Sequence, residues 1–359
     1  MAHALDLARG VMGATSPNPA VGAVLVKDGR VVGEGATEPP PGRHAEVVAL
    51  NQAGEAARGT TLYLTLEPHC FQGRTPPCTQ AIIRAGVAEV RIATLDENPR
   101  VAGKGKGELE SAGVRVALGE HEDEAREVVE AHAKWSTTGL PFVTVKYAMT
   151  LDGKIATVTG ESRWISGPES RARVQALRRT TDAIMVGINT ALRDDPQLTA
   201  RDDQGRPLAR QPLRIVVDSH ARLPSTSRML REPGWTLVAT AGAPAELAAA
   251  LRAARGEVVD LPGPEGRTDL RKLLAFLGER QVTSVLVEGG GGLLGSFFAH
   301  GLVDKILAYI APMVIGGAGA PTAVQGEGVA SLVNAVRLKR VRVERVGGDV
   351  LVTGYPQKQ

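Results

Sequence analysis

The sequence predicts an α/β protein of two domains, and three observations carry that expectation. The chain has 359 residues, room for two cores of ordinary size. Short β-rich runs alternate with helical patterns along its length, as they do where helices layer on mixed sheets. A turn-rich break, Ser136-Thr137-Thr138-Gly139-Leu140-Pro141, separates two such series. The expected boundary therefore divides residues 1–140 from 141–359.

The elements follow in order. Ala4, Leu5, Ala8 and Val11 lie at helical spacing. Val21 to Val26 and Val31-Val32 flank Asp28-Gly29, a hairpin pattern. Next come a helix over 45–57, a strand over 61–66 and a helix over 79–85. Strands over 90–94 and 114–116 and a charged helix over 122–134 complete the first series. The second opens with a strand over 142–149 and continues with strands near 184–186, 213–218, 236–239, 284–287 and 305–310. Helices over 170–178, 243–254 and 270–277 separate them. Leu338 to Arg345 and Val350 to Thr353 flank Gly347-Gly348-Asp349, a closing hairpin.

Composition excludes several classes. Lys and Arg number 42 against 39 Asp and Glu, and aromatics are 3%. Nucleic acid is not an expected partner, because neither a basic field nor a stacking platform is present. The longest apolar runs fall short of about 18 residues, so no membrane partner is expected. Asp6 interrupts the early apolar stretch, which does not read as a secretory signal. The cytosol is the expected compartment. Cys70 and Cys78 are the only cysteines. They make no disulfide framework, and their closeness reflects either metal binding or chance.

His44-Ala45-Glu46 opens a predicted helix, and Glu67-Pro68-His69-Cys70-Phe71-Gln72-Gly73-Arg74-Thr75-Pro76-Pro77-Cys78 follows. Hydrolytic deamination requires these residue types. Three protein ligands hold zinc and leave a fourth position for a water whose pKa falls to about 7. A carboxylate that is not a ligand moves the proton. Zinc nucleobase deaminases combine His-x-Glu with Pro-Cys and a second Cys, which makes Glu46 the candidate proton shuttle beside the candidate ligand His44. Alone, His-Ala-Glu at a helix start is an ordinary polar terminus. The Gly-Arg-Thr-Pro-Pro-Cys loop adds weight, since it leads Cys78 into the first turn of a helix.

These segments, with Ser16-Pro17-Asn18-Pro19, Val21-Gly22 and Asn98-Pro99-Arg100-Val101-Ala102-Gly103-Lys104-Gly105, resemble the deaminase half of bifunctional riboflavin-biosynthesis deaminase/reductases. The resemblance implies a cytidine-deaminase-like α/β/α sandwich, zinc, and Asn18 gripping a pyrimidine. Arg74 and Lys104 could meet a ribose phosphate. One position departs. The family places Cys directly after Glu-Pro, whereas here His69 stands there and Cys70 follows. Three readings stay open. His69 joins His44 and Cys78 as ligand; or Cys70 does so after a change of backbone path; or no catalytic zinc binds and the domain is a scaffold. The last would leave a reductase alone.

In the second half, Lys146-Tyr147-Ala148-Met149-Thr150-Leu151-Asp152-Gly153-Lys154, Glu161-Ser162-Arg163-Trp164-Ile165-Ser166, Asp194-Asp195-Pro196 and Val216-Val217-Asp218-Ser219 recur in order before Val287-Glu288-Gly289-Gly290-Gly291-Gly292-Leu293-Leu294. There a strand runs through four glycines into a helical run, where backbone N–H groups can approach phosphate. Together these segments are similar to the family's reductase half. The resemblance implies a dihydrofolate-reductase-like α/β domain that uses NADPH. It places the cofactor on Ala148, Trp164, Thr190, Asp194, Ser219, Gly290, Gly291, Gly292, Leu293, Leu294, Gly295 and Ser296. It places the phosphorylated pyrimidine substrate on Ser162, Arg178, Leu198, Arg201 and Glu288. A homo-oligomer is the expected assembly.

Overall fold

Ala4, Leu5 and Ala8 form the buried stripe of α1 (Ala2–Val11). β1 (Gly22–Lys27) and β2 (Arg30–Ala36) pair antiparallel through Asp28 and Gly29, both at positive φ as a tight hairpin turn requires. α2 (Ala45–Ala53) lies on this hairpin so closely that a Cβ at Gly35 would meet the Ala45 carbonyl at 2.6 Å. β3 (Thr61–Leu66), α3 (Cys78–Arg84), β4 (Glu89–Thr94), α4 (Lys104–Ser111), β5 (Arg115–Leu118) and α5 (Glu122–Thr138) follow. The five strands lie in the order β2-β1-β3-β4-β5. β1 is antiparallel to both its neighbours, and β3, β4 and β5 run parallel. Leu25, Leu62, Leu64, Ile82, Ile92 and Leu109 fill the core, each burial contributing about 1.5–3 kcal/mol before entropy.

The computed structural model describes residues 1–357. Met1–Phe142 with Gly278–Thr283 form one compact unit, and the rest of the described chain forms the second.

In the second unit, β6 (Phe142–Thr150), α6 (Pro168–Thr180), β7 (Ala183–Gly187), α7 (Ile188–Asp194), β8 (Leu213–Val217), β9 (Thr236–Thr240), α8 (Ala245–Ala253), β10 (Gly256–Asp260) and α9 (Leu270–Glu279) come first. β11 (Ser284–Val287), α10 (Gly291–Ala299), β12 (Lys305–Ala311), β13 (Leu338–Val346) and β14 (Asp349–Pro356) complete it. The sheet order is β10-β9-β8-β7-β11-β6-β12-β14-β13. β7 to β10 run parallel outward, β11 returns beside β7, and the β13–β14 hairpin joins β12 antiparallel. The order reverses around β7, β11 and β6, and such reversals open a crevice at the carboxyl ends of the strands.

Four elements differ from the sequence expectation, one of them α7, a helix that no expected segment covers. The 45–57 helix is α2 followed by a short 3-10 turn over Gly54–Ala57. α4 was not expected, because Lys104-Gly105-Lys106-Gly107 has poor helix propensity. Its N-terminus is held from a distance: Glu67 accepts hydrogen bonds from Gly103 N (2.9 Å), Lys106 N (2.9 Å) and Asp96 N (3.2 Å). β10 is a short edge strand, Gly-Glu-Val-Val-Asp, with little periodic signal.

Candidate active sites

In the first unit, the loops after β3 and β4 enclose a cavity of about 240 Å³ lined by Asn18, His44, Glu46, His69, Arg74 and Asp96 among others. His44 caps α2 and Glu46 lies in its first turn, 4% exposed. Cys78 is the first residue of α3. Its N–H donates to the His69 carbonyl at 3.1 Å, and that of Thr79 donates to the same oxygen at 3.4 Å. Two backbone bonds therefore fix His69 beside Cys78. One ligand atom each from His44, His69 and Cys78 lies within 4.8 Å of the other two. His44 Nδ1 is 3.5 Å from Cys78 Sγ, close to an edge of a tetrahedral zinc site with metal bonds of about 2.0–2.3 Å. The other His44 nitrogen meets Thr75 Oγ1 at 3.3 Å, a contact that orients the ring.

The electrostatics suit a cation. Burial, with His69 nearby, pulls the His44 imidazole down to about 4. Burial also lowers His69, opposed in part by the nearby Thr75 and Pro76 backbone. Both rings are thus neutral, the form that ligates. Burial pushes the Cys78 thiol well up, and the Glu46 carboxylate adds to this. Such a thiol ionises readily only with a cation beside it. Both buried ring nitrogens of His69 lack a side-chain hydrogen-bond partner, and an unsatisfied buried group is costly. The donors present fit zinc. The Cys70 thiol is not in this cluster and lies among Glu108, Glu67 and Lys104.

Burial raises Glu46 above the usual carboxylate range, partly offset by its own backbone N–H and by Cys78. A carboxyl raised in this way can both accept and return a proton near neutrality. Asn18 lines the same cavity, and its loop is anchored by His132, whose Nδ1 lies 3.2 Å from the Pro17 carbonyl. His132 Nε2 faces Asp96 at 4.0 Å. His132 and Asp96 were not legible as site residues, since a lone His in a charged helix carries no spacing signal. Arg74 and Arg100 line the cavity, and the Arg100 guanidinium lies 3.7 Å from the centroid of the Phe71 ring. Lys104 opens α4, with its Nζ on the Pro99 carbonyl.

The second unit holds a cavity of about 1470 Å³ at the carboxyl ends of β7, β8 and β11, larger than the range of about 300–1,000 Å³ typical of one small ligand. Of the residues expected on the cofactor, it brings together Ala148, Thr190, Asp194, Ser219, Gly290, Gly291, Gly292, Leu293, Leu294 and Ser296. Gly289 and Gly290 take positive φ, and a Cβ on Gly290 would press on Thr190 Oγ1 at 3.2 Å. Gly292 faces open space at the start of α10. This cradle fits a phosphate-bearing cofactor. Gly295 instead lies against Gln325, whose carbonyl a Cβ would meet at 1.6 Å. Trp164 is 66% exposed, outside the cavity lining, with Arg171 4.6 Å from its ring.

Ser162 and Glu288 line the cavity. Arg178 does not reach the lining: its Nε and Nη2 hold Glu288 at 2.6 and 2.7 Å. Burial raises Glu288, but the Arg178 charge and hydrogen bonds, with Lys146, bring it below the usual range. Leu198 is 3% exposed, at positive φ, in the core cluster with Ile184 and Val216. Arg201 donates to Thr199 Oγ1 at 2.9 Å and is also outside the lining. Lys146, to which the sequence alone assigns no role, lines the cavity with Glu288.

Comparison with known proteins places this architecture. The cytidine and deoxycytidylate deaminase zinc-binding region matches residues 1–94, and the RibD C-terminal domain matches residues 141–352. The riboflavin biosynthesis protein RibD of Aquifex aeolicus is 41% identical over 98% of this chain and 96% of its own length. That of Escherichia coli is 41% identical over 98% and 96%. The Acinetobacter baumannii RibD structure superposes with a TM-score of 0.87 at 36% identity, covering 99% of this chain and 98% of its own. A Thermotoga maritima diaminohydroxyphosphoribosylaminopyrimidine deaminase/5-amino-6-(5-phosphoribosylamino)uracil reductase gives 0.85 at 34%, covering 99% and 97%. With a matching domain family in each half and full-length relatives at this identity, the chain belongs to the riboflavin-biosynthesis RibD family.

Proposed function

We propose a division of labour among named residues in two reactions of riboflavin biosynthesis. The chain is a bifunctional deaminase and reductase, with zinc in the first unit and NADPH in the second. The first converts the 2-amino group of a 2,5-diamino-6-(ribosylamino)pyrimidinone 5′-phosphate to a carbonyl, consuming water and releasing ammonia. The second reduces the ribosyl group to ribityl: C1′ takes a hydride, its bond to the ring oxygen breaks, and that oxygen takes a proton.

When bound, zinc supplies a hydroxide at neutral pH and NADPH supplies the hydride. His44, His69 and Cys78 hold the metal. Glu46 takes the proton of the attacking water and delivers it to the departing nitrogen. Asn18 grips the pyrimidine edge, while Arg74 and Arg100 sit where a phosphate would be met. In the second cavity the Gly290–Gly292 backbone receives the cofactor phosphates. Ser162, Lys146 and Glu288 face the substrate, with Arg178 fixing the Glu288 carboxylate. Trp164, Arg201, Leu198 and Gly295 remain proposed contacts from the family pattern.

The convergence of His44, His69, Cys78 and Glu46 on one small cavity carries this reading of the first unit. Glu46→Gln tests it. Ammonia release should fall by at least about 10²-fold, as loss of a general acid–base does, with zinc content and NADPH oxidation retained. Wild-type ammonia release in this variant would contradict the assignment. A homo-oligomer remains the proposed assembly. The exposed apolar side chains Val341 and Val343 on edge strand β13 support it. Among the described residues no helix is long and apolar enough to cross a membrane.

A further inference from the structure

A metal site is tuned by the charge of its donors as well as by their geometry. The cluster offers two imidazoles and one thiolate. Neutral imidazoles leave a divalent ion its charge, and one thiolate removes a single unit. The centre is therefore one unit more positive than it would be with two thiolates.

Resting on the zinc reading above, we propose that His69 makes this a single-thiolate centre that excludes Cys70. The centre thereby admits imidazole-favouring divalent ions with less discrimination for zinc than a two-thiolate site. Soft thiolates select zinc, whereas imidazole also suits cobalt, nickel and iron.

Three observations hold His69 in place. Its carbonyl accepts from both Cys78 N and Thr79 N, so the backbone cannot slide by one residue without losing two hydrogen bonds. Its ring is stacked obliquely on His44 at 4.7 Å and meets the edge of Phe71 at 5.5 Å. Both of its ring nitrogens are buried without a side-chain partner, as a waiting ligand would be. Cys70 has the opposite surroundings. Its thiol is partly exposed and has Glu108 and Glu67 as neighbours.

The test uses the full chain, stripped with chelator and reloaded with Co2+. The sulfur-to-cobalt charge-transfer band per bound cobalt counts the thiolates. The expected result is one cobalt per chain, an unchanged band in Cys70→Ser and about twice the band in His69→Cys, which adds a thiolate at the metal. In equimolar zinc and cobalt, His69→Cys should prefer zinc by about tenfold more than wild type does. Circular dichroism and a thermal melt check that the first unit of each variant is folded. A band halved by Cys70→Ser would overturn the inference and leave the zinc reading standing. Equal zinc preference in wild type and His69→Cys would overturn the selectivity claim. A folded wild type that binds neither ion would overturn both inference and zinc reading.

Discussion

Glu288 shows how much a single residue can conceal from the sequence. Arg178 was expected on a substrate phosphate, because guanidinium suits phosphate. In the structure its fork closes on the Glu288 carboxylate, with side chains 16% and 6% exposed. Nothing in the local sequence marks the pairing of α6 with the loop after β11. Arg178→Ala leaves a buried carboxylate without its partner. It should lower the stability of the second unit by about 3–5 kcal/mol, read by thermal or denaturant melting, and a loss below about 0.5 kcal/mol would contradict the account. The pH dependence has a defined sign. Glu288 is held below the ordinary carboxylate value, so its ionised pairing stabilises above about pH 4.3 and fades as the pH falls through its folded value. The stability gap between wild type and Glu288→Gln should therefore be full at neutral pH and shrink in acid. A gap that widened in acid would have the wrong sign. His132 is a second residue invisible to pattern. Removing its bond to the Pro17 carbonyl should raise the deaminase KM more than it lowers kcat and leave zinc content intact. Loss of zinc instead would show a wider structural role.

At the scale of elements, the strands and helices legible beforehand are those whose burial repeats within the segment. β3 (TLYLTL) and β4 (EVRIAT) alternate half-buried and buried positions into a buried end, β8 (LRIVV) is apolar but for Arg214, and α1 carries a regular stripe. α4 was hidden because its stability comes from elsewhere. Glu67, at the end of β3, supplies the cap its own sequence lacks. A Cβ at Gly105 would lie 2.1 Å from the Pro68 carbonyl, so one of the two glycines that argued against a helix is what lets it approach the metal loop. Glu67→Ala should speed hydrogen exchange at Gly103 and Lys106 and weaken zinc retention by freeing the Pro68-His69 backbone. Each N–H left unsatisfied costs about 1–3 kcal/mol. Unchanged exchange at those two amides would refute the capping role. Gly290→Ala tests the other loop. Crowding against Thr190 and a positive φ should raise the KM for NADPH while ammonia release is unaffected.

The whole molecule joins two sheets of different topology, each with its own cavity. Their α/β class was legible from alternation, because that pattern is local. The insertion of β11 beside β7, and the crevice it creates, was not, because strand order depends on contacts between segments distant in sequence. Most residues that the family motifs propose for the cofactor loop line that crevice. Arg178, Leu198, Arg201, Trp164 and Gly295 lie outside the cavity lining. That each unit has its own cavity makes the central claim directly measurable. One preparation is assayed for ammonia release from the diamino substrate and for NADPH oxidation with the already deaminated substrate, before chelation, after it, and after zinc is restored. Ammonia release should vanish with the metal and return with it, while NADPH oxidation holds constant throughout. Ammonia release that persists in metal-free protein, or NADPH oxidation that falls in step with zinc, would contradict a zinc deaminase and a separate reductase in one chain.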